Sequence, residues 1–457
     1  MKRRYYFVVF ILTVLIFSGC SSVRPMRVDT LDLLYAKQRN EPKKTPVIFI
    51  HGILGSVLKD PKSGRVIWGK THEGSLEDLA LPIDGNTIAD NRDTLQPTDI
   101  VAGFSLFGGL VNKDIYRTVK DVSIKAGGYV PNHDAFALVY DWRRDLVETA
   151  KELDKLIEGI KKQRQDPDLK FTLLCHSMGG LVARYYAKYG GVDVLDQNPM
   201  PAPTYAGAKN IEKIIMLGTP NRGSLLVFKR LHRGLHLPTI CSASAETIFT
   251  LPSSYELLPP PGEQVFVDRD GKPLEVDLYE PLNWEKYGWS VFNPHEQEKV
   301  RRELVRENGE SKGGSLYKER LEKQRRFLKL VLERTKRFHE ALWNGDLKEE
   351  GRRVTYVLLG ADTQPTPKRA ILEKDNSGWQ VRFKSGDGLL TDILYSFGDE
   401  DVTKESFLGV HKALSEGAGE KASRLPSAYE VFISEKHDAL ADNPTYLDNI
   451  LHVLLDD

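Results

Sequence analysis

Short, continuous apolar runs closed by glycine or a polar turn alternate along the chain with stretches whose apolar residues recur at helical spacing. The first run, Thr45-Pro46-Val47-Ile48-Phe49-Ile50-His51-Gly52, lacks the in-out alternation of a half-solvated strand. It therefore predicts a strand buried on both faces of a parallel sheet. Ala135–Tyr140, Phe171–Leu174, Ile211–Gly218, Val354–Gly360 and Tyr429–Ile433 read the same way. Between them, Leu146, Leu153, Leu156, Ile157 and Ile160 mark one face of a helix from about Leu146 to Gln163. Strand and helix in alternation predict an α/β fold, a mostly parallel central sheet with helices on both faces.

From about Asn221 the pattern changes. Residues 225–350 hold a proline-rich stretch, Leu258-Pro259-Pro260-Pro261-Gly262, and a long helix near Leu316–Trp343 with one apolar side and scattered Lys and Arg. The spacing predicts a cap or lid inserted between two halves of the core, residues 45–224 and 351–457. A last helix is predicted over Tyr446–Leu455.

The N-terminus stands outside this scheme. Lys2, Arg3 and Arg4 precede an apolar stretch from Tyr5 to Phe17, shorter than the ~20 residues that cross a bilayer. Residues 1–20 read as an export signal ending in a lipobox-like Phe17-Ser18-Gly19-Cys20, with Cys20 the lipidated residue; polar residues 21–44 read as a tether. The expected location is the membrane surface of a bacterial cell envelope. Lys plus Arg equal Asp plus Glu at 64 each, so no overall field favours nucleic acid. Three cysteines do not make a disulfide framework. No HExxH, CxxC or phosphate-loop pattern occurs, and neither metal nor cofactor is expected.

The candidate chemistry lies in Cys175-His176-Ser177-Met178-Gly179-Gly180, between the run at Phe171–Leu174 and a helical stretch from Leu181. Strand, tight turn and helix around a serine with a small neighbour two residues on make a nucleophile elbow. Cys175 stands where glycine is usual. The loop after the first strand and the residue after the nucleophile would supply oxyanion-binding N–H groups, here Ile53 and Met178. Downstream, Gly398-Asp399-Glu400-Asp401 offers carboxylates, and His437 follows the last strand-like run. The order Ser177, Asp399, His437 is that of the α/β-hydrolases. Asp387 and Asp401 are alternative acids, and His411 and His452 alternative bases; His176 is expected to point away from the serine and to carry no proton.

Pro46–Ser56, Tyr140-Asp141-Trp142-Arg143, the elbow, Leu217–Ser224, Pro252–Pro259 and Gly398-Asp399-Glu400-Asp401-Val402 together resemble the lecithin:cholesterol acyltransferase family. By that resemblance Asp399, three residues before Val402, matches the family's catalytic aspartate. The resemblance implies a phospholipid or other acyl-ester donor, an acyl-serine intermediate, and water or a lipid alcohol as acceptor. The family's animal members carry disulfides in a membrane-contacting loop and near the acid. This chain has no cysteine in Val57–Val111 or beyond Cys241, so substrate selection by those loops does not transfer. A carboxylesterase or peptidase on the same fold, and an inactive hydrolase-fold surface lipoprotein, stay open at this point.

Overall fold

The computed structural model describes residues 31, 33–38, 44–69, 75–101, 104–106, 111–113, 121, 125–237, 241–386, 388–413 and 421–455. Six strands form one sheet: β1 (Val47–Ile50), β2 (Ala135–Leu138), β3 (Phe171–His176), β4 (Ile211–Leu217), β5 (Thr355–Ala361) and β6 (Tyr429–Ile433). Their order is β2-β1-β3-β4-β5-β6, and every neighbouring pair is parallel. This is an α/β-hydrolase sheet. The chain leaves β1 for the edge, then returns to lay β3 on the other side of β1. That reversal is the switch point, and in open α/β sheets the crevice beyond the strand ends at such a point is where chemistry is placed.

Both faces of the sheet are covered, which is why its strands read as continuous apolar runs. Leu173, Ile214 and Met216 feed the core on one face, while their neighbours Leu174, Ile215 and Leu217 feed the other. The first face is packed by α1 (Leu146–Arg164) and α2 (Gly179–Tyr189), the second by α5 (Pro444–Leu455). The Ala135–Tyr140 run was expected to be buried, but β2 ends at Leu138, and Ala137 is exposed because β2 is the sheet's edge. Tyr140, beyond the strand, is the residue that is fully buried there.

The segment 225–350 opens with α3 (Leu225–Arg233) and holds the long α4 (Glu310–Trp343), after which a short helix, Leu347–Arg353, crosses the segment's end. Phe228, Phe249 and Trp284, together with Phe327, Val331 and Phe338 of α4, join the same hydrophobic cluster as β3 and α2. The Phe338 ring stacks on Tyr185 of α2 at 5.9 Å between centroids. The start of α4 keeps an exposed polar face, and apart from Gly313 its buried residues lie from Gln324 onward.

Several short antiparallel strands were not foreseen in the sequence. Ser56–Lys59, Val66–Trp68 and Gln96–Ile100 make a three-stranded sheet, and Gln364–Pro367 pairs with Tyr395–Gly398 just before the acid loop. At three to five residues they are too short to carry a period.

Candidate active site

β3 ends at His176 and α2 begins at Gly179, so the chain reverses within Ser177 and Met178. Ser177 sits at φ 52°, a left-handed conformation that costs a non-glycine residue of order 1–3 kcal/mol. The turn is held from both sides: the Ser177 N–H donates to Leu217 O of β4 at 2.8 Å, and the Gly180 N–H to Ser177 O at 3.1 Å. Gly179 has no alternative, because a Cβ there would lie 2.4 Å from Ile50 O. Cys175 is fully buried as a free thiol in the core, and burial pushes its ionisation far above the ordinary range.

His437 follows β6 and opens a short 3-10 helix, His437–Asp442. Its Nε2 lies 2.9 Å from Ser177 Oγ and its Nδ1 2.7 Å from Asp399 Oδ2. The other oxygen of Asp399, Oδ1, accepts from the backbone N–H groups of Asp401 at 3.0 Å and Val402 at 2.6 Å. The loop is tied to the histidine a second time, the His437 N–H donating to Asp399 O at 2.9 Å. With one carboxylate oxygen anchored on the backbone and the other facing Nδ1, Asp399 favours, in the neutral ring, the tautomer whose proton is on Nδ1 and whose Nε2 lone pair faces the serine.

The other candidates lie elsewhere. Asp401 turns to Arg230, at 3.0 Å, and His411 and His452 are exposed on a strand and on α5. Asp387 and Cys20 fall outside the described residues. His176, expected to point away from the serine, has its ring 5.2 Å from that of His437, with Nε2 3.3 Å from His437 O. It is a buried brace under the His437 backbone. Burial, aided by the charge of His437, lowers its pKa to about 3, so it stays neutral near pH 7.

Met178 directly follows the serine, and Ile53 lies on the loop after β1, next to Gly52. Met178 stands at the N-terminus of α2, where backbone N–H groups lack intrahelical acceptors and the helix dipole favours negative charge. Among the described residues, the Ile53 and Met178 N–H groups are paired with no backbone acceptor. The β1 loop touches the elbow: a Cβ on Gly52 would come within 2.9 Å of Ser177 Cβ.

Sequence reasoning missed the clamp on that loop. Leu54 is held at φ 65°, and its carbonyl accepts from the Trp68 indole at 2.8 Å. Trp142 Nε1 donates to Ser56 O at 3.1 Å, and Tyr140 Oη to His51 O at 2.5 Å, with the Tyr140 ring stacked on His51 at 4.0 Å. The Tyr-Asp-Trp motif thus fixes the backbone that carries the Ile53 N–H. Tyr140→Phe keeps the stacked ring and removes one anchor. Its expected result is a fall of about tenfold in kcat for ester turnover with KM little changed, the signature of a misplaced oxyanion donor. An unchanged kcat would detach the clamp from catalysis.

Gly218 was likewise missed. At φ 58° it lies under the acid and base, where an added Cβ would stand 3.0 Å from His437 Nδ1 and 3.1 Å from Asp399 Oδ2.

Burial alone would disfavour a charged His437, but the charge and hydrogen bond of Asp399, with Asp401, outweigh it and raise its pKa to about 9. A base must be neutral to take a proton. Ester turnover is therefore expected to climb through the alkaline range, its limb displaced from 6.5 toward 9. The contribution of the pair to stability runs the other way: fully present below 6.5, it is lost as pH rises through 9. A kcat/KM profile with its limb at or below 6.5 would contradict this.

Set against known proteins, residues 107–297 match the family model described as lecithin:cholesterol acyltransferase. That span holds the Tyr140–Arg143, elbow, Leu217–Ser224 and Pro252–Pro259 motifs, so the resemblance they carry holds there. No curated protein matches the chain at a significant level. Among solved structures, the crystal structure of the Tle4–Tli4 complex is similar over 90% of this chain and 98% of that one, at 13% identity and a TM-score of 0.50. The likeness is one of fold. Weaker overlaps occur with Bacillus licheniformis lipase BlEst2 in mature form (11% identity, 91% and 93% covered, TM-score 0.35) and phospholipase PlaB from Legionella pneumophila (13% identity, 90% and 60% covered, TM-score 0.36).

Proposed function

We propose, for a chain that is similar to the lecithin:cholesterol acyltransferase family through residues 107–297, that it is a serine-dependent lipid ester hydrolase or acyltransferase. The observation that carries this reading is the hydrogen-bonded series Ser177, His437, Asp399 at the switch point of the sheet. Ser177 Oγ attacks the ester carbonyl while His437 Nε2 takes its proton. The N–H groups of Ile53 and Met178 hold the oxyanion, and the imidazolium, steadied by Asp399, protonates the departing alcohol. Water or a second alcohol, deprotonated by the same histidine, then attacks the acyl-serine and frees the enzyme.

A phospholipid is the proposed donor, since residues 107–297 are similar to a lipid-directed family. Export, lipidation at Cys20 and residence on an envelope membrane complete the proposal and rest on residues 1–44 of the sequence alone. The serine mechanism is tested with a fluorophosphonate probe: wild type should label and Ser177→Ala should not. Label on Ser177→Ala, or none on wild type, would sink it. Phospholipid vesicles offered with and without a long-chain alcohol then separate hydrolysis from transfer, by comparing free fatty acid with new ester.

A further inference from the structure

The loop that carries Asp399 holds a second carboxylate, Asp401, with no part in the proton transfers above. Its backbone is tied twice: the N–H donates to Asp399 Oδ1 at 3.0 Å, and the carbonyl accepts from Ser224 Oγ. Ser224 is the N-cap of α3, and the same hydroxyl oxygen accepts from the Leu226 N–H at 3.2 Å. Two turns along α3, Arg230 Nη2 reaches Asp401 Oδ2 at 3.0 Å, both side chains being about a quarter exposed, at 29% and 27%. Phe228 and Leu231 bury the neighbouring face of α3, so the guanidinium projects from a fixed helix.

Resting on the proposed serine mechanism, we infer that Arg230 is a positioning residue. It holds the Asp401 carboxylate on α3 and leaves Asp399 as the acid that is hydrogen-bonded to His437. Two aspartates on one turn beside one imidazole are a hazard for a general base. An unpaired Asp401 would add a second negative charge that favours the imidazolium, and would offer the ring a rival acceptor. Pairing with Arg230 offsets part of the first and occupies the carboxylate that would be the second.

The remaining charges around His437 do not take over this task. Glu400 on the same loop is held by Lys436 at 2.7 Å, and His176 from the end of β3 is neutral near pH 7. On its own element, the neighbours of His437 are Lys436 and Asp438. Asp401 favours the charged ring and Arg230 opposes it, while Arg230, followed by His437, keeps Asp401 ionised against its burial. The first helix of the 225–350 segment is by this route coupled to the reactivity of Ser177.

The test compares Arg230→Gln, Arg230→Lys, Asp401→Asn and the double variant Arg230→Gln/Asp401→Asn in the full chain. One readout is the NMR titration of the His437 imidazole, which needs no substrate; the other is the pH profile of short-chain ester turnover. Arg230→Gln should move both upward by about 0.5–1 pH unit, so turnover on the acid side of the limb falls roughly three- to tenfold. Arg230→Lys should stay near wild type, Asp401→Asn should move down, and the double variant should return toward wild type. An unmoved titration in Arg230→Gln, or a double variant no nearer wild type than Arg230→Gln, would overturn the inference. If wild type neither turns over ester nor takes the fluorophosphonate label, the functional reading fails, while the NMR titration still decides the role of Arg230.

Discussion

Asp399→Asn is expected to lower kcat/KM for ester turnover by about 10⁴ while leaving the fold intact. The side chain is nearly isosteric, and its oxygen can keep the Asp401 and Val402 N–H groups that now bind Oδ1. Facing His437 Nδ1, however, the amide would present N–H₂ instead of a carboxylate oxygen at 2.7 Å. The ring then satisfies it with an Nδ1 lone pair and turns a proton toward Ser177, the tautomer that cannot act as a base. The imidazolium also loses its counter-charge. Two measurements check this: steady-state kinetics for the loss, and thermal unfolding for the fold. A loss under tenfold would mean that another carboxylate serves His437.

The second large effect concerns stability. Arg143, in the Tyr-Asp-Trp-Arg motif, has no exposed side chain, yet every contact of its guanidinium is met. Nη1 and Nη2 grip Asp93 at 2.6 and 2.9 Å, Nε and Nη2 grip Asp141 at 2.9 and 2.7 Å, and Nη1 also donates to Leu79 O at 3.1 Å. Arg143→Met fills much of the space and strands the Asp141 carboxylate, 9% exposed, while Asp93, 24% exposed, turns to water. Breaking such a buried pair from one side should cost about 3–5 kcal/mol. Denaturant unfolding reads the loss, and adding Asp93→Asn and Asp141→Asn should recover part of it. A loss below about 1 kcal/mol would show the pair to be screened like a surface bridge. Lysine is no substitute, because one ammonium cannot span both carboxylates in forked geometry.

The two motifs that carried most of the family resemblance do physical work away from the reacting atoms. Tyr140, Trp142 and Arg143 pin the loop after β1 and the strand sheet beside it. In Pro252–Glu256, the Ser253 N–H binds Arg143 O at 3.3 Å, and Glu256 accepts from the Leu146 N–H at 2.9 Å, at the start of α1. Burial, with Asp145 nearby, raises Glu256 well above the ordinary carboxylate range. Motif strength in sequence thus marked the scaffold of the site.

The sequence by itself determined the parallel sheet and the elbow, because both are local. A strand buried on two faces must be apolar throughout, as Phe171–Leu174 is, and a reversal as tight as that at Ser177 demands Gly179, whose position the backbone of β1 leaves no room to change. It also set the chain order Ser177, Asp399, His437, but not which of Asp387, Asp399 and Asp401 meets the histidine. Among the described acids that choice lies in the tertiary structure: Asp399 reaches Nδ1 because two backbone N–H groups aim it there, while Asp401, two residues on, is drawn off by Arg230 from a helix 171 positions earlier. The same holds for Trp68 on the Leu54 carbonyl and Gly218 under the ring. Gly218 meets residues about 180 to 220 positions on, and even Trp68 and Leu54, 14 apart, meet only across a turn of chain. Neither periodicity nor spacing carries a signal there, since hydrogen-bond geometry exists only once folding has brought the segments together.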